Sequence, residues 1–390
     1  LPMYDFVTVP PRRHTNSIKW NVQDTELPMW IADMEFETAP EIKAALQTKV
    51  AAGIFGYEKV PAELFTTVAA WNQRQHHFSC PPEWMLFATG VMPAIAAIIR
   101  RLTNPGDNIV LQPPVYNMFF NAVESNGRHI LANNLIYDAH DLSYAIDFAD
   151  LEKKLADPQT TMMLLCNPHN PIGKLWSRDE LIRIVTLCRD NSVTLISDES
   201  HRDLVLADHD YVSIDSLPAD LIQHTIATVS PSKTFNLAGL HAAIVTIPNP
   251  ALRAIVAHGL AVDWLGEPNL VAIPGTIAAY SEGDAWLAAL KAHLRNNVVF
   301  AQDYLAQRLP QIKFAVPEAS YLLWLDCTAV TSNSARLNDF LREKTGLVLA
   351  AGTDYGAAGR HFLRMNIACP QTMLADGLAR LATGIQEYQE

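Results

Sequence analysis

Between about residues 85 and 250, short apolar runs alternate with longer stretches in which apolar residues recur at helical spacing. That is the pattern of a mostly parallel sheet whose strands are buried under helices. The runs Asn108–Leu111, Met162–Cys166, Val193–Ser197, Thr225–Val229 and Ala242–Ile247 predict buried strands. Between them, Ser177 stands three residues before Glu180, a capping box opening a helix over Ser177–Asp190 whose apolar face is Leu181, Ile184, Val185, Leu187 and Cys188. Leu252–Ala301 is mostly helical in pattern, with breaks predicted at Gly266–Pro268, Pro274–Gly275 and Gly283, and Ala285–Leu309 predicts one long connecting helix. Beyond Pro310 the texture changes. Predicted strands at Phe314–Val316, Tyr321–Leu325, Val348–Ala350 and His361–Ile367 mix with helices over Ser334–Lys344 and Pro370–Tyr388, as in a smaller α+β lobe.

Composition narrows the class. A length of 390 residues fits two or three folding units, or equally one large unit with an appended lobe, and 49% hydrophobic against 18% charged residues belongs to a chain that folds. The net charge of −12, with no Lys/Arg-rich run, argues against a nucleic-acid partner. No run approaches the roughly 18 apolar residues of a membrane span, and Leu1–Pro11 lacks the charged head and apolar run of a secretory signal, so a soluble cytoplasmic protein is expected. Cys80, Cys166, Cys188, Cys327 and Cys369 are scattered and form no CxxC pair, which points away from disulfides and from a metal site.

The chemistry gathers after the predicted strands. Ser230-Pro231-Ser232-Lys233 places one lysine, flanked by serines, in apolar company; lost solvation lowers a lysine's pKa and frees its amine as a nucleophile toward an aldehyde. The same segment also fits a solvated surface loop. Asp198 ends another strand, where open α/β sheets collect their ligands, and could keep a pyridine nitrogen protonated while His201 bonds a phenolic oxygen; a helix cap and a structural histidine are the plainer readings. Asn167-Pro168-His169-Asn170-Pro171 is a stiff turn that aims Asn170 back at the strand ends, or only a tight turn. Gly90 opens an apolar helix, and the backbone N–H groups at such an N-terminus are a ready phosphate cradle, although no Walker lysine follows. Tyr116 either stacks on a planar group or fills the core, and Arg364, inside an apolar strand, needs an anion: a carboxylate ligand or an internal salt bridge.

In their order along the chain these pieces resemble the fold-type I pyridoxal-phosphate enzymes of the aspartate aminotransferase superfamily. Within it, Trp30-Ile31-Ala32-Asp33-Met34-Glu35-Phe36, Phe55-Gly56-Tyr57, Pro114-Val115-Tyr116, Asp198-Glu199-Ser200-His201, Ser232-Lys233-Thr234-Phe235-Asn236 and Leu363-Arg364-Met365-Asn366 look most like the MalY/PatB-type cystathionine β-lyases, or C–S lyases. The resemblance implies a mostly parallel, seven-stranded-type sheet in a large cofactor-binding domain, residues 48–283, with a smaller α+β domain at 284–390 joined by an N-terminal segment, 1–47. It implies that Lys233 is the Schiff-base lysine, that Asp198 pairs with the ring nitrogen, that Asn170 and His201 contact the ring oxygen, and that Tyr116 stacks on the ring. The phosphate would be held by Val91, Met92, Ser230 and Ser232, with Tyr57 from the second subunit of a homodimer; Arg364 and Ala32 would meet the amino-acid substrate. His201 stands where aspartate aminotransferases carry tyrosine, as in the lyase branch, and His241 replaces a phosphate-binding arginine common elsewhere. No second arginine matches the reader of a dicarboxylic side chain. The implied reaction is α,β-elimination from cystathionine or a related cysteine conjugate. An aminotransferase of a non-dicarboxylic amino acid shares every one of these residues, and a fold-retaining regulatory protein is disfavoured by the presence of Lys233, Asp198 and Arg364.

Overall fold

The computed structural model describes residues 4–388; Leu1–Met3, part of the opening segment read above for a leader, and the two residues at the far end lie outside the described residues. The chain opens with a long irregular segment containing β1 (Leu27–Pro28), then α1 (Pro40–Ala51) and α2 (Ala62–His76). The central region follows as β2 (Met85–Ala88), α3 (Val91–Leu102), β3 (Asn108–Leu111), α4 (Asn117–Glu124), β4 (His129–Ala132), a small hairpin of β5 (Ile136–Asp138) and β6 (Ser143–Ala145), and α5 (Phe148–Leu155). It continues through β7 (Thr160–Cys166), α6 (Arg178–Asp190), β8 (Thr194–Asp198), β9 (Thr225–Val229), the one-turn α7 (Pro231–Thr234) and β10 (Ala243–Thr246).

These strands form a seven-stranded sheet in the order β2-β10-β9-β8-β7-β3-β4. Only β10 runs antiparallel to its neighbours. Helices cover both faces, so central strands read as continuous apolar runs: all but one of the seven residues of β7 are buried. In α6 the capping box forms as expected, Ser177 Oγ accepting from Glu180 N at 3.2 Å and Glu180 Oε2 from Ser177 N at 2.8 Å. The parallel strands point their carboxyl ends the same way, and the register sets Cys166 beside Asp198 and Asp198 beside Thr228. Every turn leaving that edge therefore opens on one place.

Beyond the sheet come α8 (Pro250–Val262), α9 (Ala272–Glu282) and α10 (Asp284–Arg308), then β11 (Leu322–Asp326), α11 (Ser334–Thr345), β12 (Leu347–Val348), β13 (Ala350–Ala351), β14 (Phe362–Asn366) and α12 (Gln371–Glu387). Strands β11, β14 and β13 make an antiparallel sheet, and β1 pairs in parallel with β12, which carries the N-terminal segment into this smaller α+β lobe.

Three expectations are corrected. Pro274–Gly275 does not break the chain; it lies in the first turn of α9, where a proline's missing N–H has no intrahelical acceptor to lose. Gly275 is needed for packing instead, since a Cβ there would stand 2.5 Å from Leu240 Cδ1 and 3.1 Å from Leu46 Cδ2 of α1. Phe314–Val316 is not a strand: Lys313 makes one bridge to Asp326, after which the chain turns away and Glu318 N and Ala319 N both donate to Gly173 O, at 2.9 and 3.1 Å. Val348–Ala350 divides between two sheets, Leu349 being the switch. The strands β2 and β4 carry no expectation above. All five cysteines are free and buried. Among the described residues no helix is long and apolar enough to cross a membrane.

Candidate active site

Strand β9 delivers the lysine. Its next residue, Ser230, caps α7 by accepting from Ser232 N at 3.1 Å, donates its hydroxyl to Ala242 O at 2.7 Å and stands 2.7 Å from Ser232 Oγ. One residue on, Lys233 donates from Nζ to Ala32 O at 2.8 Å. Burial, then the positive charge of Arg364, lowers its pKa to about 8, against the opposing pull of Asp33 and Asp198. Thr234 anchors the turn from behind, donating to Asp203 Oδ2 at 2.8 Å. Asn236, at a φ of 58°, grips the N-terminal segment by accepting from Met34 N and donating to the carbonyls of Met34 and Phe36.

Asp198 ends β8, buried, and accepts from Ser200 N at 3.1 Å as well as from the Ser200 hydroxyl. Burial raises its carboxyl above the ordinary range, although the Ser200 bonds and the Lys233 charge oppose the shift. His201 is also buried; burial first, then the charges of Lys233 and Arg364, pushes it down to about 3, so the ring is neutral at physiological pH. Its Nδ1 has no hydrogen-bond partner among the described residues. From the end of β7, the turn 167–171 is held by His169 Nε2 against Pro114 O at 2.8 Å, and Asn170 Oδ1 accepts from Arg364 Nη1 at 3.1 Å. Arg364 comes from the other lobe, on β14; it donates to Trp30 O at 2.9 Å, lies 5.0 Å from the centre of the Tyr355 ring, and leaves Nε buried and unpartnered.

These side chains enclose a cavity of about 470 Å³ whose wall also holds Ala32, Val91, Met92, Tyr116, Ser230 and Ser232. Val91 and Met92 head α3 behind Gly90, whose φ of 156° and ψ of 157° belong to glycine, and their amides have no partner within the helix. Tyr57 is the predicted site residue that the chain does not bring there: it is fully exposed on a surface segment. Trp30, from a motif quoted above but given no role there, also lines the cavity, and so do Asn338, Asp354 and Tyr355, which no local motif signals. The N-terminal segment crosses the cavity as a strap. Trp30 O is held by Arg364, Ile31 O and Asp33 O by Asn366, and Ala32 O by Lys233 and by Tyr321 at 3.2 Å.

A strand-end lysine, a buried acid on the neighbouring strand, a glycine-headed helix and an arginine from a second lobe define a site for an anionic, ring-shaped cofactor and a carboxylate ligand. The class I and II aminotransferase family profile matches residues 29–381, and the chain belongs to that family. Among its curated relatives, cystathionine beta-lyase PatB of Bacillus subtilis is 41% identical over 381 residues, covering 96% of this chain and 98% of that protein. Protein MalY of Escherichia coli is 32% identical over 392 residues, covering 98% and 99%. The crystal structure of cystalysin from Treponema denticola, which contains pyridoxal 5'-phosphate, superposes with a TM-score of 0.95 at 30% identity, covering 99% of this chain and all of that one (100%).

Proposed function

We propose that the protein is a pyridoxal-phosphate-dependent C–S β-lyase that cleaves cystathionine or a related cysteine S-conjugate to a thiol, pyruvate and ammonia. One observation carries the reading: Lys233 and Asp198, from the ends of two neighbouring strands, and Arg364, from the middle of β14 in the other lobe, face a single cavity in a chain 41% identical to a cystathionine beta-lyase.

The donor set suits the cofactor at each of its groups. Lys233 offers an amine of lowered pKa to the aldehyde, Asp198 a buried carboxylate to the ring nitrogen, and His201 and Asn170 polar atoms to the ring oxygen. The amides of Val91 and Met92, with Ser230 and Ser232, suit the phosphate, and Tyr116 the ring face. Pyridoxal phosphate, when bound, supplies an aldehyde that captures amino groups and a ring that accepts the electron pair left at Cα. Arg364 takes the substrate α-carboxylate in a planar two-point contact, exchanging its bond to Trp30 O, and Ala32 lies against the substrate. Lys233, free of its hold, removes the Cα proton, and the thiolate departs from Cβ. Asp198 keeps a proton on the ring nitrogen, where its negative charge in a dry setting favours the cation.

The same reading makes the protein a cytoplasmic homodimer in which the partner subunit's Tyr57 completes the phosphate site. Exposed Ile54, Phe55 and Tyr57 form an apolar surface that a second copy would cover, and a fully active monomer in sedimentation overturns this part. It also divides the chain into a cofactor-holding part ending at residue 283 and a smaller lobe, 284–390. Because α1 packs on α9, we place the first boundary before Pro40 rather than after residue 47.

The test supplies the cofactor-loaded protein with L-cystathionine and no 2-oxo acid and follows pyruvate and free thiol over many turnovers. Sustained release of both is expected. Conversion of the cofactor to its amino form, without release and reversed by a 2-oxo acid, would make the protein an aminotransferase instead.

A further inference from the structure

Asp354 lines the catalytic cavity together with Arg364, yet it has neither a hydrogen bond nor an ion pair among the described residues. Its place is rigid. The tight turn Gly352–Tyr355 is pressed so closely against its neighbours that a Cβ on Gly352 would stand 2.0 Å from Gly359 O, and Val115 N donates to Tyr355 O at 3.1 Å. Gly356, at a φ of +107°, closes the turn where a Cβ would come 2.9 Å from Pro113 Cβ. The turn thus locks Asp354 between the loop after β3 and the strand that bears Arg364. Lys233 and Arg364 are the lysine and arginine in the cavity wall, and the reaction engages both, so no such cation remains for a second carboxylate.

We infer that Asp354 is a specificity-determining residue that reads the leaving group of the substrate, favouring thioether amino acids whose leaving group carries an ammonium over those whose leaving group carries a carboxylate and no ammonium. The inference rests on the β-lyase reading. An unpaired carboxylate carried by a rigid turn at the solvent-exposed rim of a cavity attracts a cation and repels an anion, and cystathionine presents an ammonium, beside a carboxylate, on its departing half. Burial raises the Asp354 carboxyl and the Arg364 charge opposes that, which agrees with an acid that lacks its own counter-ion.

The experiment compares kcat/KM of the cofactor-loaded protein for S-(2-aminoethyl)-L-cysteine, its uncharged isostere S-propyl-L-cysteine, and S-(2-carboxyethyl)-L-cysteine. Wild type should favour aminoethyl over propyl by about tenfold and place carboxyethyl last. In D354N the aminoethyl-to-propyl ratio should fall toward one, and in D354K the carboxyethyl substrate should overtake the aminoethyl. Each ratio is taken within one variant, so a general loss of activity cancels. Calorimetric binding of L-lysine against L-2-aminoheptanoate, which have no leaving group, should show the same collapse in D354N. Ratios unchanged between wild type and D354N overturn the inference, whereas absence of thiol release from all three substrates in wild type overturns the β-lyase reading itself.

Discussion

Lys19 and Lys233 both reach the strap at residues 30–36, and they keep opposite company. Lys19 is buried and donates to Glu35 Oε1 at 2.8 Å and to Asp33 O at 3.2 Å. Around it Arg12 bonds both oxygens of Asp33, at 3.0 and 2.9 Å, and Glu35 at 2.8 Å, while Trp20 Nε1 donates to Glu35 as well. For Asp33, burial is outweighed by the Arg12 hydrogen bond and the charges of Lys19 and Arg12, and its carboxyl falls below the ordinary range. Lys233, by contrast, has one carbonyl and no ion pair, and Asp198 has only Ser200; burial wins at both, lowering the amine and raising the acid. The lesson is that buried charge marks a working site where it lacks a partner and structure where it is saturated, even when the two adjoin.

That contrast can be broken, beginning with the largest effect. Lys233→Met should lower cystathionine turnover by about a thousandfold or more and remove the absorbance of the lysine-bound cofactor. It should also make the cofactor-free chain more resistant to urea. An amine whose folded pKa is lowered from 10.5 to about 8 burdens the fold fully below pH 8, and the burden is lifted as the pH rises from 8 toward 10.5. Glu35→Ala should act in the opposite sense, costing about 3–5 kcal/mol of stability in urea melts by stranding Lys19 and Arg12. A neutral result would show that the saturated cluster is not structural.

Asp198→Asn should reduce kcat by about a hundredfold with no loss of cofactor-free stability, since ionising a carboxyl whose folded pKa is raised costs the fold at neutral pH. Arg364→Lys should raise KM for cystathionine by about tenfold with a smaller change in kcat, because an ammonium cannot match the planar fork. The smallest effect is on pH: the rate at which the cofactor-free chain takes up pyridoxal phosphate, read by absorbance, should climb about tenfold per unit below pH 8 and flatten above it. A flat profile would place the Lys233 pKa elsewhere.

Much of the site was legible because its residues follow strands. Asp198, Lys233 and Asn170 each lie at or just after an apolar run ending at the carboxyl edge of the sheet, and parallel strands bring such ends together. The saturated cluster was invisible, for Arg12, Lys19, Asp33 and Glu35 sit in an irregular segment without periodicity. Asp354 and Tyr355 were missed for a related reason: a short turn carries no motif, and its role depends on Arg364 ten residues on and on the loop after β3.

The amino-acid sequence by itself determined the alternation of strands and helices, the capped start of α6 and the chemistry available at the strand ends, because periodicity and capping act over a few residues. Only the tertiary structure decided which charges are paired and which stand free. The strap at 30–36 meets Asn236 and Arg364 across about 200 and 330 residues of chain, and whether a buried amine or acid finds a counter-charge there depends on distances that close only when the two lobes pack.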